Sequence, residues 1–495
     1  MLKIGWSKRN ITMDGPVAIT GQFFQRISRG VLDSLWVTAL VIDDGNEAAI
    51  IVSADMTSAA EKIIFEIRDA VKAKNPEIPV EKILLSATHS HTTPRYLRET
   101  GYDKAPLDGV EMIPPEEYRT FFVDMASDAV CEAYETRDAG SYAYGYDYAV
   151  VSHHRRPVYS VDVGKRDNAK PTSLEVDKFA RMYGRTNDPD FDGYEGVVDS
   201  SAYFLFTFDS KENLTGAIIN IPCPSQNSEV ESVITASYWA QVRDIVKEKY
   251  GDIYILTQCA SAGDMSPRIL HAHKAEERKY NLKYKDVKFP LVESQVEMYN
   301  RCEIAERIMH AFDSAYSWAS KERIYDSKVI HSVKKLKLDA WKITEEQYNQ
   351  AKLEYEEHLK TKFVHTGNAY DDYAKNTSQS TMLARYEKII NRYLDSSDYR
   401  EVEIHVIRIG DIAFASNPFE LYINYQHRIQ ARSPFVQTFV VQLAASIGTS
   451  GYLCTERAAE NSGYSANVYS CQVSPSGGKS LVEQTLDELN SLYLK

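Results

Sequence analysis

The sequence predicts an α/β fold in which mixed β-sheets are flanked by helices. Short apolar runs rich in β-branched residues recur along the chain, as expected for buried strands. Segments with helical periodicity lie between some of these runs, which favours alternating strands and helices. Hydrophobic residues make up 43% and charged residues 26% of the 495 residues, a composition typical of a folded globular protein.

The elements follow in order along the chain. The apolar runs predict strands over residues 37–42, 48–52, 82–86, 202–208, 217–221, 253–257, 402–409, 412–415 and 436–443. Helical periodicity predicts helices over residues 58–73 and 237–250. No internal repeat and no clear linker interrupts this pattern, so residues 1–495 are predicted to form a single domain.

Residues 341–395 differ from the rest and predict an inserted helical hairpin. Thr344 and Gln347 fit a capping box at the start of a first polar helix, and apolar residues follow at helical spacing. A second helix is predicted around Tyr386, with the Asn-, Asp- and Ser-rich segment 366–381 as the connection. The hairpin is interpreted as a lid, an oligomer contact or a solvated excursion.

The net charge and the absence of targeting signals limit the classes of partner that are expected. The net charge is −13 without a dense basic stripe, so nucleic acid is not expected as a partner. The N-terminus lacks a secretory pattern and no segment is long and apolar enough to span a bilayer, which predicts a cytoplasmic protein without integral membrane association. A small-molecule substrate is the expected partner, and a homo-oligomer is left open.

Four stretches with chemically active side chains each follow a predicted strand, where ligands bind in open α/β sheets. They contain His89 and His91, Cys223 between two prolines, Ser266 in a turn, and Glu420. These residue types suit metal binding, proton transfer or nucleophilic attack. Each also has a structural alternative: packing histidines, a buried inert thiol, an ordinary Ser-Pro turn and a glutamate at a helix start.

Taken together, the motifs resemble the catalytic domain of the neutral/alkaline, non-lysosomal ceramidases. Thr88-His89-Ser90-His91-Thr92-Thr93-Pro94 is similar to a histidine motif of that family, and Gly263-Asp264-Met265-Ser266-Pro267 is similar to its motif with the nucleophilic serine. His154-Arg155 resembles an Asn-Arg motif, and Tyr452-Leu453-Cys454-Thr455 with Tyr464 resembles a segment with two site tyrosines. The ceramidases also carry a C-terminal immunoglobulin-like domain, which is not expected here.

The resemblance implies one Zn²⁺ per chain, held by four residues, and a set of catalytic residues around it. The implied zinc ligands are His89, Cys223, Glu420 and Tyr452, with Cys223 replacing a histidine of the family. The implied catalytic residues are Ser266 as nucleophile, His91, Arg155, Tyr464 and Asp264. Cysteine is a legitimate zinc ligand, although a thiolate makes zinc a weaker Lewis acid.

These expectations predict a zinc-dependent hydrolase of an amide, or of an ester or lactone, that acts on a smaller and more polar substrate than ceramide. Two alternatives belong to other classes. One is a catalytically silent ligand-binding homologue that lost efficient metal chemistry with the histidine. The other is a thiol hydrolase that uses Cys223 as nucleophile.

Overall fold

The structure, a computed structural model, describes residues 1–98, 101–166, 169 and 176–495. The helices in this part of the chain are α1 (Glu61–Lys74), α2 (Pro115–Glu135), α3 (Tyr238–Tyr250), α4 (His273–Lys283), α5 (Gln295–Ala319), α6 (Glu345–His358), α7 (Ala369–Asp395), α8 (Ile423–Arg432), α9 (Glu456–Asn461) and α10 (Pro475–Leu494).

The strands are β1 (Lys3–Asn10), β2 (Ala18–Ile19), β3 (Arg26–Ile27), β4 (Trp36–Asp43), β5 (Ala48–Ala54), β6 (Ile83–Ala87), β7 (Asp138–Tyr148), β8 (His153–His154), β9 (Pro157–Tyr159), β10 (Phe191–Tyr194), β11 (Ser201–Asp209), β12 (Leu214–Ile221), β13 (Tyr254–Cys259), β14 (Met265–Ser266), β15 (Val329–Asp339), β16 (Tyr399–Ile409), β17 (Ile412–Ser416), β18 (Phe419–Leu421), β19 (Gln437–Val441) and β20 (Gly451–Leu453). The predicted mixed α/β fold is confirmed.

The largest sheet has eight strands in the order β13-β12-β11-β7-β1-β4-β5-β6. Its terminal pairs, β5 with β6 and β12 with β13, are parallel, while the inner pairs are antiparallel. The sheet curls so that β13, at one edge, meets β5, next to the other edge. The hydrogen bond from the Ser53 hydroxyl on β5 to the Thr257 carbonyl on β13 shows this contact. This curl brings together the carboxyl ends of both parallel pairs.

A second sheet, in the order β15-β16-β17-β19, packs against the first. The core between them contains Leu40, Leu205 and Leu256 from the large sheet and Ile407 and Phe414 from the small one. Helices α1, α2, α3 and α5 cover the other face of the large sheet, and α8 and α10 cover that of the small sheet. The result is four layers in the order helix, sheet, sheet, helix, with apolar cores between successive layers.

The helices α6 and α7 leave the small sheet between its antiparallel neighbours β15 and β16. The predicted capping box of Thr344 and Gln347 is present at the start of α6. The rings of Tyr348 and Tyr393 stack 4.4 Å apart, so the end of α7 lies beside the start of α6 and the helices run antiparallel. The segment 366–381 does not form the predicted connection, because α7 begins at Ala369.

The nine strands predicted from apolar runs all correspond to strands of the two sheets. Within the described residues, no helix combines the length and the apolar character needed to cross a membrane.

Candidate active site

A cavity of about 500 Å³ opens where loops after β5, β6 and β17 meet the β20 region. Five of the nine predicted site residues line it: His89, His91, Glu420, Tyr452 and Tyr464. They come from positions far apart in the sequence, and the curled sheet with its neighbouring small sheet brings them together. The other four, Cys223, Arg155, Asp264 and Ser266, are not part of the described cavity wall.

The imidazole of His89 is held in one tautomer. Its Nδ1 lies 2.7 Å from the backbone oxygen of Thr57, and since a carbonyl only accepts hydrogen bonds, Nδ1 carries the proton. Nε2 faces Oε2 of Glu420 at 3.2 Å, which is within ion-pair distance. Nε2 is buried and makes no hydrogen bond within the described structure. The two atoms thus face one point, where a proton or a metal cation can bind both of them.

Glu420 and Tyr452 are register partners in the parallel pair β18 and β20, which puts their side chains on the same side. Burial alone would raise the pKa of Glu420, but interactions with His89, Arg155 and Tyr452 lower it to about 2. Glu420 is therefore a carboxylate at neutral pH. Burial and the Glu420 charge raise the pKa of Tyr452 well above its ordinary value, so its phenol stays protonated in the absence of a cation.

Tyr464 completes this wall. Its ring meets that of Tyr452 edge to face, with centroids 5.5 Å apart, and Phe23 packs against its other side at 5.7 Å. Burial and the Glu420 charge raise the pKa of Tyr464 to about 12, so it is a hydrogen-bond donor at neutral pH.

Arg155 lies behind Glu420 and Tyr452. Its Nη2 donates to the Gly263 carbonyl at 2.8 Å and to the Tyr452 hydroxyl at 3.2 Å, and it lies 3.6 Å from Oε2 of Glu420. Burial would lower the pKa of Arg155, but the neighbouring tyrosines and Glu420 raise it well above its ordinary value. Arg155 is therefore a buried cation that holds Glu420 and Tyr452 from behind the cavity lining.

His91 is fixed by residues that the sequence did not single out. The Gln226 amide lies 3.0 Å from Nε2 of His91, and Nδ1 lies 3.3 Å from Glu229. Arg268 forms an ion pair with Glu229. Burial lowers the pKa of His91 despite the Glu229 charge, so the imidazole is neutral at neutral pH.

Gly21 also supports His91. Its φ of +99° is in the region that favours glycine, and a Cβ there would lie 2.4 Å from Cγ of His91. No local sequence signal identifies Gly21, Thr57 or Glu229, because each acts through a long-range contact with a histidine.

The predicted catalytic serine and its neighbour lie apart from the cavity. Ser266 is buried on β14, and its hydroxyl accepts a hydrogen bond from the Arg268 amide at 3.1 Å. Oδ1 of Asp264 accepts from the Ile423 amide at 2.9 Å, and Oδ2 lies 3.5 Å from His154. Asp264 thus ties β14 to the start of α8.

The predicted fourth metal ligand, Cys223, is not brought to His89 and Glu420. Its thiol is buried in the core beneath the large sheet and donates to the Val151 carbonyl at 3.2 Å. Burial raises the pKa of Cys223 well above its ordinary value, so the sulfur is a neutral thiol. Without a metal the thiol is a poor nucleophile, and its hydrogen bond to Val151 directs it away from the cavity.

The donor set that remains is His89, Glu420 and Tyr452. Among the described residues, no three His, Cys, Asp or Glu side chains are grouped so as to hold a metal ion. The set nevertheless fits a cation, since the unpartnered Nε2 of His89, the Glu420 carboxylate and the Tyr452 hydroxyl converge on one wall. Three protein ligands and an open position are typical of catalytic zinc sites.

The architecture of this chain matches solved structures. A neutral ceramidase from Pseudomonas aeruginosa superimposes with a TM-score of 0.65 at 18% identity, over 99% of this chain and 74% of the other. The fold is similar to that of neutral ceramidases. A ceramidase complexed with C2 gives the same TM-score at 15% identity, over 99% of this chain and 75% of the other. No protein-family profile and no curated sequence matches the chain.

Proposed function

We propose that the protein is a zinc-dependent hydrolase that cleaves the amide bond of a small polar molecule. The observation that carries the proposal is the unpartnered Nε2 of His89, 3.2 Å from the Glu420 carboxylate and beside the Tyr452 hydroxyl in a cavity. The ceramidase fold supports an amide as the scissile bond. Zinc, when bound, would lower the pKa of water toward neutrality and polarise a carbonyl oxygen.

The chain's own residues would prepare the reaction. Thr57 holds the His89 tautomer, and Arg155 orients Glu420 and Tyr452. The neutral phenol of Tyr464 would donate a hydrogen bond to the carbonyl oxygen as negative charge develops there.

Water rather than Ser266 would attack the amide carbonyl, because the Ser266 hydroxyl is buried away from the cavity wall. His91 is neutral and lines the cavity, with its ring centroid 4.8 Å from that of His89. With Nδ1 held by Glu229, His91 would accept a proton from the water at Nε2 in place of the Gln226 hydrogen bond and return it to the leaving amine.

The substrate is proposed to be compact. A cavity of about 500 Å³ falls within the range that holds a ligand of ordinary metabolite size. Its lining combines polar groups such as Thr20, Gln22 and Arg95 with the apolar Phe23 and Leu97. This lining suits an N-acylated amino compound or sugar with a short acyl group.

The test combines metal analysis with turnover. Protein purified without chelator is expected to contain about one zinc per chain, and to release carboxylate from short N-acyl compounds faster than from ceramide. Glu420→Gln should lose zinc and turnover together, because the carboxylate charge is removed at constant shape. Glu401→Gln, at an exposed glutamate of β16, serves as the control and should change neither.

Two outcomes would contradict the proposal in different ways. Full activity in metal-free protein would exclude zinc chemistry. Bound zinc without turnover on any N-acyl compound would favour the silent ligand-binding homologue.

A further inference from the structure

A second cavity, of about 780 Å³, lies beside the candidate active site and has strongly basic walls. We call it the basic cavity. Among the residues that the structure describes, five basic side chains line it against two acidic ones, Glu387 and Asp395; the basic residues are Arg98, Arg385, Lys388, Arg392 and Arg400.

Ion pairs neutralise part of this charge. Asp395 pairs with Arg400 and Glu116 pairs with Arg98, both at 2.7 Å, while Glu387 accepts a hydrogen bond at 2.6 Å from Lys104, which does not line the cavity. Lys388 has no ion pair or hydrogen bond with any residue that the structure describes. Arg392 donates only to backbone carbonyls, including those of Val468 and Trp341, which carry no net charge.

Helix geometry concentrates the positive charge. Arg385, Lys388 and Arg392 are spaced three and four residues apart on α7, so they share one helix face. Like charges at this spacing destabilise a helix. Burial lowers the pKa of Arg392 to about 10, with a further contribution from the Arg400 charge. Lys388 and Arg392 are therefore neighbouring cations without a carboxylate partner among the described residues, and an anion would stabilise them.

Unused donors point the same way. The Nε groups of Arg392 and Arg400 are buried without a hydrogen-bond partner in the described structure. Arg392 is 8% exposed and lines the basic cavity. A buried guanidinium N–H without an acceptor is costly, and an oxyanion supplies charge and acceptor oxygens at once.

The basic cavity adjoins the candidate active site. Tyr102 and Thr381 line both cavities. Arg385 stacks over the ring of Phe23, which lines the active-site cavity, at 4.7 Å. A ligand that spans both cavities would pass between these residues.

We propose that the basic cavity binds an oxyanion group, a phosphate, sulfate or carboxylate, through Lys388, Arg392 and Arg400. Anion binding here is independent of the hydrolase assignment. If the proposed function holds, on which this extension rests, the bound group is the anionic end of the amide substrate. The substrate class is then an N-acyl compound with a phosphate, sulfate or carboxylate.

Calorimetric titration of the full chain with inorganic phosphate, sulfate and acetate tests the site directly. Lys388→Gln should weaken the affinity for the preferred anion about tenfold or more, the size expected for one charged hydrogen bond. Lys375→Gln removes an exposed lysine of the same helix outside the cavity and should leave the affinity unchanged. Dihexanoyl phosphatidic acid in a parallel titration separates a lipid headgroup from free phosphate.

Equal affinity in the wild type, Lys388→Gln and Lys375→Gln would overturn the site, as would no heat of binding with any of the anions. Arg400→Gln gives a second variant, which should also weaken binding. Turnover separates the two proposals. Anion binding without hydrolysis would support the anion site and contradict the proposed hydrolase function. Hydrolysis of neutral N-acyl compounds at the rate of anionic ones, with anion binding intact, would contradict only the proposed substrate class.

Discussion

Nε2 of His89 and Oε2 of Glu420 lie 3.2 Å apart without a hydrogen bond from the imidazole nitrogen. The Thr57 carbonyl holds a proton on Nδ1, so Nε2 and the carboxylate face one point. A proton or a metal cation at that point satisfies both groups.

Zinc should therefore stabilise the chelator-treated protein. At a free concentration 100 times the dissociation constant, the expected gain is about 2.7 kcal/mol. A thermal-shift titration measures it, and His89→Ala and Glu420→Gln should both abolish the shift. A similar shift in either variant would show that zinc binds elsewhere.

Replacing Arg155 should destabilise the fold. Arg155→Met leaves the buried Glu420 carboxylate without its guanidinium neighbour and the Gly263 carbonyl without its donor, and breaking a buried pair costs about 3–5 kcal/mol. Urea denaturation checks this value. Arg185→Met, at an exposed arginine, is the control and should stay within about 0.5 kcal/mol of the wild type.

Arg155→Lys separates charge from geometry. It keeps the positive charge but loses the planar fork that reaches Gly263, Tyr452 and Gln226 together. We expect most of the stability to return while turnover stays at least about tenfold lower. Wild-type turnover in Arg155→Lys would mean that only the charge matters.

The buried strands can be predicted from local sequence patterns, because an apolar run is recognisable from consecutive residues alone. The strand β7 was missed because its buried positions are occupied largely by Gly, Ser, Ala and Tyr rather than by β-branched residues. The Asn-, Asp- and Ser-rich sequence of residues 366–381 predicts a loop where α7 begins. The hydroxyls of Thr377, Ser380 and Thr381 donate to carbonyls four residues earlier, so they are satisfied inside the helix.

The same distinction holds for the site residues. The positions of His89, His91 and Glu420 at strand ends could be predicted, because each follows an apolar run. Side-chain direction could not be predicted: Cys223 also follows a strand, yet its thiol points into the apolar core. The partners Thr57 and Gln226 are defined only by distances between remote segments.

The Cys223 thiol should be unreactive in the native protein. It is fully buried and its pKa is raised, whereas Cys302 is partly exposed, so iodoacetamide should modify Cys302 first and Cys223 only after unfolding. Peptide mass spectrometry after timed labelling measures the order. Rapid labelling of native Cys223 would revive the thiol-hydrolase hypothesis. Cys223→Ala should keep its zinc, because the thiol does not face His89.

Glu303 on α5 should make part of the stability depend on acid pH. Its carboxylate accepts hydrogen bonds from Lys283 at 2.7 Å and Tyr284 at 3.1 Å, and it also pairs with Lys279. Burial would raise its pKa from 4.5, but Lys279 and Lys283 lower it to about 2. The folded state therefore binds the proton more weakly than the unfolded state. The stabilisation is full above about pH 4.5 and is lost as the pH falls toward about 2.

The measurement is the difference in unfolding free energy between the wild type and Glu303→Gln, taken from urea denaturation at pH 7, 4.5 and 3. Other carboxylates titrate over the same range, but they contribute equally to both proteins and cancel in the difference. The advantage of the wild type should be largest at pH 7 and shrink at pH 3. Glu277→Gln, at an exposed glutamate of α4, should show little difference at any pH. An advantage that grows on acidification would mean that Glu303 is protonated in the folded protein and that its lysine pairs do not hold α4 against α5.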